Sequence, residues 1–307
     1  KIKIRSAAFN PIDFQMRKGS SESKLLKSVI LGREMSGIIV EVHPSVTGFN
    51  VEDEVYGYVS NLGSNGAYAE YIVVPATIIA HKPSNLDFNH AAAVSLVGLT
   101  SIQAIEKCKI TNGNSVFITG GAGGVGSMII RLLVQKGFNK IYTTAGNKES
   151  KQKIISYGLR SENIINYNDE NIAEKLFTLN QNDKMDFCID TVGKEMSDLC
   201  AEIIKINATY ADIAFLTTES ARELLFDKGV TIINISNYVY GIEGDNEKLK
   251  YYNNRLTLLK SYFENNLIPK TPVNIIGNLE VETVAKAHAI LEKNETRGKK
   301  LIMEINN

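Results

Sequence analysis

Neither sign of charge dominates this chain. Lysine and arginine together number 34, as do aspartate and glutamate, so the formal net charge over 307 residues is zero. A neutral chain without a basic stripe offers no electrostatic reason to bind nucleic acid or an anionic membrane, and neither partner is expected. Long apolar runs are scarce, and none reads as approaching the length of a membrane-crossing helix. Cysteine is scarce too. Cys108, Cys188 and Cys200 are scattered and odd in number, which argues against a disulfide framework and suits free, mostly buried thiols in a cytoplasmic setting. Nothing at the N-terminus reads as a signal peptide. Lys1 to Arg5 already alternates like a strand, as if the chain starts partway into its native domain, and a targeting segment ahead of it is left open. The histidines His43, His81, His90 and His288 show no ligand or triad spacing and are expected at the surface or as caps. No Ser-His-Asp arrangement or nucleophile elbow supports a hydrolase.

What the chain does have is a glycine loop. Val116-Phe117-Ile118-Thr119 is a short apolar run that ends in Gly120-Gly121-Ala122-Gly123-Gly124-Val125-Gly126 and opens into an amphipathic segment. Gly121, Gly123 and Gly126 fit G-x-G-x-x-G in its strand–turn–helix context. The first glycine permits the tight turn, the second lets a pyrophosphate approach the backbone, and the third lets helix and strand pack closely. The free amides at the helix start then face an anion with a favourable dipole.

Residues 1 to about 95 read as a β-rich unit, with strands at 38–42, 55–59 and 68–74 and a polar loop at 61–65. A helical pattern follows from 89 to 105. Beyond it, strands at 116–119, 141–145, 163–166, 185–190, 209–214 and 230–235 alternate with helices at 125–136, 150–157, 171–179 and 195–206. That rhythm predicts a doubly wound α/β unit with a six-stranded parallel sheet. Glu247 to Asn265 reads as a long helix, Val281 to Lys293 as another, and Lys299 to Ile305 as a last strand that rejoins the first domain.

The ordered set of motifs resembles the medium-chain dehydrogenase/reductase superfamily, and within it the zinc-free quinone oxidoreductase branch. The matching stretches are 7–13, 31–37, 66–71, 91–100, the glycine loop, 190–193 and 297–299. The resemblance implies a GroES-like domain (1–95 and 266–307), a Rossmann domain (96–265), and an active site in the cleft between them. Zinc-dependent members present a cysteine near Asn10 and Gly-His-Glu where this chain has Gly32-Arg33-Glu34. Arg33 stays protonated and offers no lone pair, and no cysteine lies in the first 100 residues, so no metal is expected. Arg33 and Glu34 are expected to pair with each other as architecture.

The second strand ends in Gly146-Asn147 rather than in the acid that commonly binds an NAD ribose. Asn147, Lys151 and Tyr167 stand where the resembling branch holds a 2′-phosphate, with Lys148 nearby, and NADPH is favoured; Glu149 is the residue that would rescue NADH. The resemblance also places Thr100, Gly124, Val125 and Asp190 with the cofactor. Asn10 and Asp13 are expected in the loop that faces the nicotinamide. Asn10 is the candidate donor to a carbonyl oxygen, stabilising the enolate formed on hydride addition, or else a residue that merely sets a turn with Pro11. Tyr58 is taken as proton donor, with Tyr56 and Tyr68 as alternatives that packing equally explains. Met16 and Arg17 are expected to line the entrance.

Three functions fit. The first is a zinc-independent, NADPH-dependent reductase of quinones or α,β-unsaturated carbonyls. The second is a 2-enoyl-thioester reductase, for which no clear basic patch is seen. The third is a nucleotide-binding redox-sensing or scaffold protein with little turnover. The apolar run 230–235 would form a sheet edge, and a homodimer is expected there.

Overall fold

The computed structural model describes residues 1–19, 21–26, 28–59, 65–242 and 245–306. Most of the loop expected at 61–65 lies outside the described residues. The chain divides into two compact units, one formed by 1–99 with 237–307 and the other by 100–236.

The first unit is built on a mixed sheet. Its strands are β1 (Ile2–Ala8), β2 (Glu34–Ile39), β3 (Glu54–Tyr58), β4 (Tyr71–Ile72) and β5 (Ile79–His81), joined late in the chain by β12 (Val273–Asn278) and β13 (Lys300–Glu304). The spatial order is β12-β13-β1-β2-β3-β5, with β4 paired to β1. Among the described residues only the β12–β13 pairing is parallel; the other pairings are antiparallel. The return of β13 to pair with β1 is the closure expected from the sequence. The run at 68–74 pairs over two residues only, and β12 was not read from its sequence.

Asn10 to Arg17 is not a loop. Asn10 precedes helix α1 (Pro11–Arg17), Pro11 sits in its first turn, and the Asp13 carboxylate accepts the Asn10 backbone N–H at 2.8 Å. This is a start signal: a proline whose missing N–H costs nothing there, and an acid facing the orphan amides. The stretch 88–108 is two helices, α2 (Phe88–Ala92) and α3 (Ser95–Cys108), separated by a turn at Ala93–Val94. By length and composition Phe88–Cys108 is apolar enough to cross a membrane, which the sequence reading did not anticipate. Of its 18-residue apolar window 78% is buried inside the protein, as in core helices.

The second unit carries six parallel strands: β6 (Val116–Ile118), β7 (Ile141–Ala145), β8 (Ile164–Asn166), β9 (Met185–Asp190), β10 (Ile204–Asp212) and β11 (Thr231–Asn234). Their order is β11-β10-β9-β6-β7-β8, the doubly wound arrangement in which the strand order reverses beside β6. The connecting helices are α4 (Gly124–Gln135), α5 (Lys148–Ser156), α6 (Ile172–Leu179), α7 (Glu195–Ile203) and α8 (Glu219–Asp227). A core of Phe117, Tyr142, Leu176, Met185, Cys188, Cys200, Ile204, Tyr210 and Leu225 fills one side. All three cysteines are free and buried.

Two sequence boundaries fail here for physical reasons. The helix expected to reach 206 stops at Ile203, because Ile204 pairs with Met185 and begins β10. Helix α8 was not anticipated, although the Thr218 side chain caps it by accepting the Ala221 amide. The last two helices, α9 (Asn246–Glu264) and α10 (Val281–Glu292), both belong to the first unit. The expected boundary at 265 gave α9 to the Rossmann half; instead Leu256 O accepts the Tyr56 hydroxyl at 2.6 Å and Asn253 donates to Ile79 O.

Candidate active site

In the second unit β6 delivers the glycine loop to the switch point. Gly120, with φ of 64°, makes the left-handed turn. A Cβ on Gly121 would lie 2.2 Å from Thr143 Oγ1, and one on Gly126 would lie 2.4 Å from the Gly120 carbonyl oxygen. Both therefore serve close packing. Gly123 is different: a Cβ there meets only the Gly120 oxygen, at 3.1 Å. Gly123 is also the N-cap of α4 and brings no side chain to the cap. The first amides of α4, at Gly124, Val125 and Gly126, have no intrahelical acceptor by helix geometry. Small residues and open amides at a positive helix end fit a diphosphate.

The Asp190 carboxylate, expected to touch the cofactor, is fully enclosed. One oxygen accepts Thr119 Oγ1 at 2.7 Å and the amides of Val192 and Gly193; the other accepts the Tyr210 hydroxyl at 2.8 Å. It ties the loop after β9 to the glycine loop, and a Cβ on Gly120 would meet Thr191 and Val192 at 2.9 Å. Thr100 is buried in α3, whose Ser101 hydroxyl donates to Val125 O.

At the end of β7, Asn147 caps α5 by accepting the Ser150 amide at 2.8 Å. The Tyr167 hydroxyl lies over Gly146, where a Cβ would come within 2.0 Å of it. Asn147, Lys148 and Lys151 line a cleft of about 750 Å³ that continues past Ile164, Asn166 and Lys175 and is also lined by Glu162, Asp169 and Glu174; Glu149 is not among its lining residues. The structure brings Gly146, Asn147 and Tyr167 together at one corner, with Lys148 and Lys151 on the first turns of α5.

In the first unit the buried side chains of Asn10, Glu34 and Lys300 form a closed triangle. Lys300 Nζ lies 2.6 Å from Glu34 Oε1 and donates to Asn10 Oδ1; Asn10 Nδ2 donates to the same Glu34 oxygen at 2.9 Å. The other Glu34 oxygen accepts the Leu96 amide at 2.7 Å. Removing one partner of such a buried pair costs roughly 3–5 kcal/mol, because it strands a charge.

The expected pairing of Arg33 with Glu34 is therefore wrong. Arg33 pairs instead with Glu22, donates to the Tyr58 hydroxyl at 3.0 Å, and reaches Met16 Sδ at 3.2 Å. Met16 is buried, and Arg17 is bridged to Glu292 at 2.5 Å. Lys300 escaped the sequence reading because it stands in an ordinary Lys299-Lys300 pair.

Asp13 is enclosed, and one of its carboxylate oxygens has no hydrogen-bond partner among the described residues. Burial raises its pKa to about 6, against the opposing pull of the Asn10 amide, Arg33 and Lys300. The Tyr68 hydroxyl, beside Asp13, makes no hydrogen bond of ordinary geometry among the described residues, and burial with the neighbouring Asp13 charge pushes its pKa well up. Tyr58 is completely buried, with its ring 5.7 Å from that of Tyr252. Tyr56 spends its proton on Leu256 O. His288, expected at the surface or as a cap, is buried against Phe9 and Tyr68.

No group of three or more His, Cys, Asp or Glu among the described residues could hold a metal ion. At positions 10 and 34 the side chains converge on an ammonium, and zinc does not fit that donor set.

The alcohol dehydrogenase GroES-like domain family matches residues 1–84, and the zinc-binding dehydrogenase family matches 124–252. The chain belongs to the medium-chain dehydrogenase/reductase superfamily. A 2-methylene-furan-3-one reductase of Solanum lycopersicum is 34% identical over 63% of the chain and 49% of its own length. The chain thus matches about half of that relative. An NADPH-dependent alkenal/one oxidoreductase, chloroplastic, of Arabidopsis thaliana is 29% identical over 99% of the chain and 72% of its own. The structure of the quinone oxidoreductase from Coxiella burnetii superposes with a TM-score of 0.81 at 28% identity, covering 99% of this chain and 90% of that one. The names of these relatives are all those of reductases or oxidoreductases.

Proposed function

We propose that this chain reduces α,β-unsaturated carbonyls or quinones with NADPH and without zinc. The observation that carries the reading is the glycine cradle, whose open amides and missing side chain at Gly123 suit a diphosphate. The bound nicotinamide supplies the hydride. Asn147, Lys148, Lys151 and Tyr167 support the phosphorylated form of the cofactor, since the strand end offers an amide in place of an acid and two lysines stand on the first turns of α5. Gly121, Gly126 and Asp190 keep the cradle in shape, with Thr100, Gly124 and Val125 beside it.

On the substrate side, Asn10 donates an N–H to the carbonyl oxygen and so stabilises the charge that develops there. Tyr58, whose hydroxyl accepts from Arg33, is the proton donor. Asp13 holds the start of α1, and with it Asn10, in place. The names of the tomato and Arabidopsis relatives support the enone class, and that of the Coxiella protein supports quinones. The exposed strand β11 is the seam of a homodimer on the same reading.

The test follows NADPH absorbance with a panel of enals, enones, quinones and acyl thioesters. Turnover of an enone or quinone that survives chelation supports the reading. Turnover of acyl thioesters alone, or binding of NADPH with no turnover, overturns it.

A further inference from the structure

We propose that Lys300 is the positioning residue that aims and activates the Asn10 amide. The inference rests on the reading of Asn10 as the carbonyl donor. Its basis is the triangle of buried side chains. A lysine ammonium has donors and no acceptor, and an ionised carboxylate has acceptors and no donor. Asn10 lies between one of each. Its Oδ1 must therefore face Lys300 and its Nδ2 must face Glu34, where the distance is 2.9 Å. A reversed amide would set its NH₂ against an ammonium and its oxygen against a carboxylate. The orientation follows from the chemistry of the two partners.

Two consequences follow for Asn10. One of its two N–H groups is spent on Glu34 Oε1, which leaves the second as the group that can be offered to a ligand. The cation on Oδ1 draws electron density from the amide, and hydrogen bonds in such a chain polarise one another, so the remaining N–H becomes a stronger donor. Glu34 is itself fixed, with its second oxygen on the Leu96 amide at 2.7 Å. The triangle joins three distant parts of the first unit: the residue before α1, the first residue of β2 and the first residue of β13. Lys300 and Glu34 are 7% and 0% exposed, which leaves little room for water to replace either partner.

The experiment compares N10A, K300M, K300R and the double variant E34Q/K300M with the wild type. It uses an enone or quinone that the wild type reduces, with ordinary and 4-deuterated NADPH. The double variant removes both charges and so strands neither. Expected are a kcat lower by about 10- to 100-fold in N10A, K300M and the double variant, the range found when partners that orient a functional side chain are lost. The KM for NADPH stays near the wild-type value, and the deuterium isotope effect on kcat rises. K300R, which keeps a cationic donor, recovers part of the loss. A folded K300M or double variant with wild-type kcat, alongside a slow N10A, overturns the role of Lys300 and leaves the donor reading intact. Wild-type kcat in N10A overturns the donor reading, and this inference with it.

Discussion

Gly123 and Gly126 sit three residues apart and carry opposite costs. A methyl group at Gly126 strikes a backbone oxygen at 2.4 Å, whereas at Gly123 it meets the same oxygen at 3.1 Å, a tight contact that a shift of a few tenths of an ångström relieves. G126A should therefore lose about 1–3 kcal/mol of stability to overpacking. G123A should stay within about 1 kcal/mol of the wild type and yet weaken NADPH binding by about tenfold or more. Thermal unfolding and calorimetry on the two variants check this; wild-type affinity in G123A would contradict the cradle. Asp13 gives a second prediction. Its folded pKa of about 6 lies above its ordinary value of 3.8. An acid whose pKa is raised contributes its full stability below about pH 4 and loses it as pH rises through 6. Relative to D13N, the wild type should become less stable by on the order of 3 kcal/mol between pH 4 and pH 7 in denaturant titrations; a flat difference would refute the burial argument. At this scale the packing demand at Gly126 was legible from spacing, whereas the tight turn expected of Gly121 is made by Gly120, and Gly121 packs against Thr143 instead. The partners of Arg33 and Glu34 were not, since Glu22 and Lys300 are brought to them only by tertiary folding.

Among elements, those with strong local signals matched the sequence reading. β7 and β9 run over the expected residues, 141–145 and 185–190, because buried parallel strands write themselves as continuous apolar runs. α1 and α8 were missed although each carries its cap: Asn10 with Pro11 and Asp13, and Thr218 before Ala221. Their turn-like residues mask short helices. β11 spans 231–234 within the expected 230–235 and pairs with β10 at one end of the sheet, with Ile232 46% exposed. An exposed apolar edge is a pairing template. Light scattering at micromolar concentration should report a dimer for the wild type and a monomer for I232K, in which a charge blunts the edge. A monomeric wild type would contradict the seam.

Over the whole molecule, the class of fold was readable from the order of its motifs. A β-rich unit is followed by a doubly wound one, and the last strand returns to the first sheet. Ownership of α9 was not readable. Its spacing of Leu249, Tyr252, Leu256, Leu259 and Phe263 says that one face is buried, and only the fold says against what. The account of the molecule depends on the second unit gripping a phosphorylated dinucleotide. Isothermal calorimetry with NADPH and NADH tests this most directly. One NADPH per chain, bound about tenfold more tightly than NADH, is the predicted result; no heat from either cofactor, or tighter binding of NADH, would contradict it.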